Sequence, residues 1–172
     1  MRYPNYQYNP RANQILTMLE EKPASRFTDL MQGSGLKNGV VSHYLKMMKK
    51  TGLIRTRRMK NQEWYFASTF DESRDFLFIH LRKETSRKIL SFLLDRESAT
   101  FSEILVDIKK SPSTLSTTLS NLTKDNLVTI EPGLVKKYRL SNKESTGKAL
   151  EQVNLKTFDI MKDRFADTFS YL

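Results

Sequence analysis

Arg55, Arg57, Arg58 and Lys60 place four cations within six residues. At that density they repel one another unless an anion answers them, and phosphate is the obvious candidate. Just upstream lie Asn38, Ser42, His43 and Lys46, an amide, a hydroxyl, an imidazole and an ammonium. Such groups can donate to or accept from base edges, each good contact giving about 1–3 kcal/mol of discrimination. Lys49 and Lys50 follow, suited to phosphate or simply to a solvated helix end, where cations complement the dipole. His43 also reads as an exposed helix residue with no special role. The chemistry is recognition of a polyanion rather than catalysis. With two histidines and no cysteine, metal sites of ordinary spacing cannot be assembled. Gly33-Ser34-Gly35 lacks the Lys and Ser/Thr of a phosphate loop, and Glu20-Glu21 reads as a solvated helix end. Neither an enzyme, nor a cofactor, nor a metal is expected.

The elements that must position these residues can be read from apolar spacing. Val41, Leu45 and Met48 share one helical face, leaving the polar candidates on the other side of a recognition helix over 36–50. Gly52 ends it, since a residue without Cβ accepts the left-handed turn. A two-stranded basic wing follows over 54–66, opened by Leu53-Ile54 and closed by Trp64 to Phe66. Upstream, Ile15, Leu16 and Leu19 mark a helix over 12–21 that Pro23 stops. Ser25 is the candidate cap of a short helix with Phe27, Leu30 and Met31 inward, running to Gly33. Helix, short helix, tight turn, helix and hairpin is the order of a winged helix-turn-helix.

The pattern recurs 74 residues later. Ile15 and Leu16 map to Ile89 and Leu90, Leu19 to Leu93, Phe27 to Phe101 and Leu30 to Ile104. Val41 maps to Leu115, Leu45 to Leu119 and Met48 to Leu122; Leu53-Ile54 maps to Leu127-Val128, and Trp64 and Phe66 to Tyr138 and Leu140. On this reading no gap is needed up to the end of the wing. The fold class is mainly α (α+β): two tandem winged helix-turn-helix units with small hairpin wings, a connecting helix and a long C-terminal helix. The first unit, with its N-terminal arm, takes residues 1–70. A connector at 71–83, apolar on nearly all sides at Phe76, Leu77, Phe78, Ile79 and Leu81, is buried from several directions. The second unit takes 84–144 and the terminal helix 145–172. In that helix Phe158, Met161, Phe165, Phe169 and Leu172 extend past what one small unit can cover. A homodimer interface and packing back onto the first unit both account for them. The arm, with Tyr3, Tyr6 and Tyr8, either packs on its unit or reaches DNA through Arg2 or Arg11.

The second recognition helix exposes Ser113, Thr114, Ser116 and Thr117, with Pro112 suited to its first turn. Hydroxyls bond phosphates or either base partner but bring no charge. Its wing adds Lys136, Lys137 and Arg139, offset by Glu131. The segment SPSTLSTTLSNLTKDNLV (111–128) resembles the recognition helix and strand opening of MarR/ArsR-type winged-helix transcription regulators, and KNGVVSHYLKMMKKTGLI is a looser match. Tandem chains of this size are similar to archaeal regulators. The resemblance covers about residues 12–140 and implies a DNA-binding regulator.

Charge placement agrees. Residues 1–70 carry 12 Lys and Arg against four acids, residues 71–144 carry 13 against 11, and the remainder is balanced. The excess sits in the first unit, which is therefore expected to be the main reader of double-stranded DNA. Replacing Arg57 and Arg58 should weaken binding to all duplexes alike. The rival reading is a winged-helix assembly module of the transcription machinery without sequence-specific contact, against which the basic wing argues. A small-molecule effector is not shown, and the Phe-rich connector is explained by core packing. No apolar run reaches the ~20 residues of a membrane span, so a cytoplasmic location is the default.

Overall fold

The computed structural model describes residues 9–153. The chain divides into two compact units that part between Asp75 and Phe76. In the first, helix α1 (Pro10–Glu21) starts two residues before the sequence reading, because Pro10 occupies the first turn and Asn9 caps it. The Asn9 carboxamide oxygen accepts from the backbone N–H of Arg11 at 3.0 Å and of Ala12 at 3.4 Å. Helix α2 (Phe27–Ser34) ends on Gly35, which takes the left-handed conformation at φ 65°. Helix α3 (Asn38–Lys50) is followed by Gly52 at φ 73°. Strands β1 (Ile54–Met59) and β2 (Gln62–Ala67) pair antiparallel, Ile54 opposite Ala67 and Met59 opposite Gln62. Ile15, Leu19, Leu30, Val41, Leu45, Met48 and Ile54 form one buried core, so a single stripe from each helix closes against the base of the wing. Ser25 is not the cap of α2. It is buried, its hydroxyl donates to the Lys22 carbonyl at 2.6 Å, and its backbone bridges to Tyr65.

A 3-10 turn (Glu72–Arg74) leads into α4 (Asp75–Leu81), and Arg82-Lys83 separate it from α5 (Glu84–Leu94). The second unit then holds β3 (Ala99–Thr100), α6 (Phe101–Ile108), α7 (Pro112–Lys124), β4 (Val128–Glu131) and β5 (Lys137–Leu140). Its sheet runs β3-β5-β4, all antiparallel. Thr100 and Glu103 form a reciprocal capping box on α6. Residues 143–153 are helical. Buried Ile89, Leu93, Ile104, Leu115, Leu119, Leu122 and Val128 repeat the first core position by position, and Leu90 is fully buried where its counterpart Leu16 is only partly so.

The repeat reaches the backbone. Both α2 and α3 map onto α6 and α7 end to end at an offset of 74. Positive φ recurs too, at Gly35 and Lys109 and at Gly52 and Asn126. The gapless match does not survive the wing, however. Ile54 pairs with Ala67, whereas Val128 pairs with Leu140, an offset of 73 on the returning strand. The Ser68 N–H donates to the Leu53 carbonyl as the Ser141 N–H donates to that of Leu127, which fixes the same shift. The second hairpin is one residue shorter. Leu140 therefore takes the place of Ala67, and Tyr138 that of Tyr65. Arg2, Tyr3, Tyr6, Tyr8 and the proposed interface residues Phe158, Met161, Phe165, Phe169 and Leu172 lie outside the described residues.

Candidate nucleic-acid interface

Val41, Leu45 and Met48 of α3 are buried, while Asn38, Ser42, His43 and Lys46 on the same helix are all exposed. The Ser42 hydroxyl donates to the Asn38 side-chain oxygen at 3.4 Å, one helical turn away, and His43 meets Tyr44 edge-on. Lys46 and Lys50 form no ion pair among the described residues. The Lys49 ammonium, by contrast, sits 3.1 Å from a Glu63 carboxylate oxygen, tying the end of α3 to β2. Glu63 also accepts from the Tyr65 hydroxyl at 2.8 Å. Burial pushes the Glu63 carboxyl up, but hydrogen bonds from Tyr65, Lys49 and Thr56 outweigh it and leave the group below its ordinary value. Tyr65 is pushed up to about 12, first by burial and then by its hydrogen bond to the Glu63 carboxylate and that group's charge.

The four wing cations do not all await an external anion. Asp75, 0% exposed, accepts from both terminal nitrogens of Arg55 at 2.6 and 2.8 Å and from Arg57 Nε at 2.6 Å. Arg55 also donates to the Phe70 carbonyl at 2.9 Å and lies over the Phe66 ring. Arg55 and Arg57 are thus answered by the protein's own carboxylate, an anion that the reading of the wing from sequence did not count. Cross-strand alternation explains the split: residues 55 and 57 share one face of β1, while Arg58 points to the other. Arg58 and Lys60 remain exposed, without an ion pair among the described residues, and Lys60 turns the hairpin at φ 53°.

On α7 the Ser111 hydroxyl caps the helix, accepting from the Thr114 N–H at 3.2 Å. The same hydroxyl lies 3.0 Å from that of Ser113 and 2.8 Å from that of Thr114, so both are engaged locally. Ser116 and Thr117 are exposed with no such partner. On the second wing Lys136 and Lys137 are exposed. Arg139 is drawn to Glu131 at 3.5 Å and to the Thr129 hydroxyl at 3.3 Å.

The sequence profile of bacterial regulatory proteins of the arsR family matches residues 9–56 and again 83–129, more than half of the chain. The chain belongs to that family. It is a DNA-binding transcription regulator with a winged helix-turn-helix fold. No curated protein matches it significantly. Among solved structures it is similar to HlyU from Vibrio cholerae N16961, at 26% identity over 48% of this chain and 90% of that one, with a TM-score of 0.43. The reduced form of HlyU gives 26% identity, 48% and 87% coverage and a TM-score of 0.42. The DIP2311 protein from Corynebacterium diphtheriae gives 14%, 76% and 26% coverage and 0.30.

In this ArsR-family chain His80 is a satisfied core histidine. It is 1% exposed, 3.1 Å from the Ser86 hydroxyl and 2.8 Å from the Asp125 carboxylate that closes α7. Sequence reasoning missed Asp75. Its one signal was a carboxylate standing at the head of the apolar run FLFIHL, where an unpaired charge is costly. No helix among the described residues is long and apolar enough to cross a membrane.

Proposed function

We propose that this regulator reads specific double-stranded DNA, chiefly through its first unit. The observation that carries the reading is that Asn38, Ser42, His43 and Lys46 are exposed together on a helix that Val41, Leu45 and Met48 lock into the core. Those four lie in the same compact unit as the exposed Arg58 and Lys60. The first group addresses base edges, and Lys50, Arg58 and Lys60 address phosphates, with Lys49 shared between Glu63 and the backbone. Arg55 and Arg57 shape the wing instead of touching the duplex. The second unit assists through Ser116, Thr117, Lys136 and Lys137, with Ser113 and Thr114 ordering the helix start. A homodimer through the terminal helix accompanies this reading, as does a cytoplasmic location where DNA is reached.

The experiment is selection from a pool of random duplexes, followed by titration at several salt concentrations. Arg58→Ala with Lys60→Ala should weaken all duplexes alike and flatten the log–log salt slope by about 0.9 for each phosphate contact removed. Asn38→Ala should leave the slope and relax the preference at particular bases, by about 1–3 kcal/mol. An unaltered preference profile removes Asn38 from the reading set. The assembly-module reading gains one point from the geometry, since Asp75 consumes two of the wing cations. It would be upheld by a parent protein whose duplex binding shows neither preference nor salt dependence.

A further inference from the structure

The two hairpins carry opposite tips. The first turns through Lys60-Asn61, polar and charged. The second turns through Pro132-Gly133-Leu134-Val135, where Leu134 is fully exposed and Val135 is 62% exposed. Behind them on β4, Ile130 is also exposed, and Lys136 and Lys137 follow the tip where the returning strand begins. Bare apolar side chains at the outermost point of a hairpin cannot be explained by the core of their own unit. Single exposed apolar residues are ordinary, but adjacent ones on a projection mark a contact.

We propose that Leu134 and Val135 form an apolar wedge that enters the minor groove of duplex DNA and partly unstacks a base step, while Lys136 and Lys137 hold the adjoining phosphates. This rests on the DNA reading above and gives the second unit its own task within it. Three considerations commit the tip to DNA. Apolar wedges flanked by cations are the chemistry by which minor-groove binders kink a duplex. The shoulders are cationic, which complements a polyanion. A two-residue tip is too small for the roughly 800 Å² per partner of a stable protein interface. Such a wedge senses deformability rather than base edges, so it favours pyrimidine–purine steps, which unstack most easily.

The test uses the full chain on a selected duplex, with 2-aminopurine placed along the site to report unstacking and dyes at the ends to report bending. The parent should raise the fluorescence at one position and shorten the end-to-end distance. Leu134→Ser with Val135→Ser should abolish both signals and weaken binding about tenfold, with the salt slope unchanged. Lys136→Gln with Lys137→Gln should instead flatten the slope by about 0.9 per lysine. A serine variant that binds and bends like the parent overturns the wedge and leaves the DNA reading standing. A parent that binds no duplex overturns both. Retention on anionic vesicles or self-association that the serine variant alone loses, with duplex binding unchanged, reassigns the tip to lipid or to a second copy and overturns the proposal.

Discussion

Asp75 decides what the first wing can do. A carboxylate with no solvent exposure needs its cations, and it takes two that the sequence reading assigned to phosphate. Asp75→Asn should cost the first unit about 3 kcal/mol, as breaking a buried pair does, measured by chemical denaturation. In the protein that remains folded, the released Arg55 and Arg57 should steepen the salt dependence of duplex binding. A stability within 1 kcal/mol of the parent would show that the pair is not needed. Arg57→Ala, by the same logic, acts through stability, and Arg58→Ala through the duplex. Glu63 offers a second residue-scale test. The Tyr65 contribution is fully present below its ordinary pKa of 10.0 and is lost as pH rises through about 12. Glu63, being depressed, contributes above the usual carboxylate range and loses this as pH falls through its folded value. Glu63→Gln removes the charge facing the phenol, so the Tyr65 absorbance titration should move down from about 12 and stop short of 10.0, because burial persists. An unmoved titration would assign the whole shift to burial.

At the scale of elements, the duplicated units act as controls for each other. Helix α7 is capped by Ser111, while Lys37 at the same place before α3 makes no side-chain cap bond. Lys37→Ser should therefore stabilise the first unit by about 1 kcal/mol. Gly35 and Lys109 both adopt positive φ after their helices, at 65° and 53°. Lys109→Gly relieves left-handed strain but loosens the unfolded chain, for a net gain of about 0.5–1 kcal/mol in denaturant melts. A loss of stability in either variant would mean that one copy's local geometry does not transfer to the other. The helices were legible because their apolar positions obey one period and one offset, so Val41 and Leu115 could be placed in equivalent cores from spacing alone. The strands were less so. A hairpin fixes its register by hydrogen bonding across the turn, and the missing residue near Pro132-Gly133 leaves no mark in an alternating pattern. The Arg55–Asp75 contact spans 20 residues and depends on which face of β1 each arginine takes, which follows only once the wing is paired.

For the whole molecule the open question is whether one chain grips DNA once or twice. Positive charge gathers in residues 1–70, in keeping with the proposal that the first unit is the main reader, whereas the second brings hydroxyls and two exposed lysines. If both dock on one duplex, the second contact is intramolecular, and its weak intrinsic affinity is multiplied by the high effective concentration that tethering supplies. Replacing Ser113, Thr114, Ser116 and Thr117 together with Ala tests this without disturbing the fold. Ser111 keeps the cap, and alanine favours the helix interior. The parent should leave two protected patches in a hydroxyl-radical footprint, and the quadruple variant one, with affinity down by about tenfold to a hundredfold. The base preference proposed for Asn38 and its neighbours should survive in that variant, because those residues belong to the other unit. A single patch in the parent, unchanged by the four substitutions, would confine DNA contact to the first unit and leave the second to bind something else.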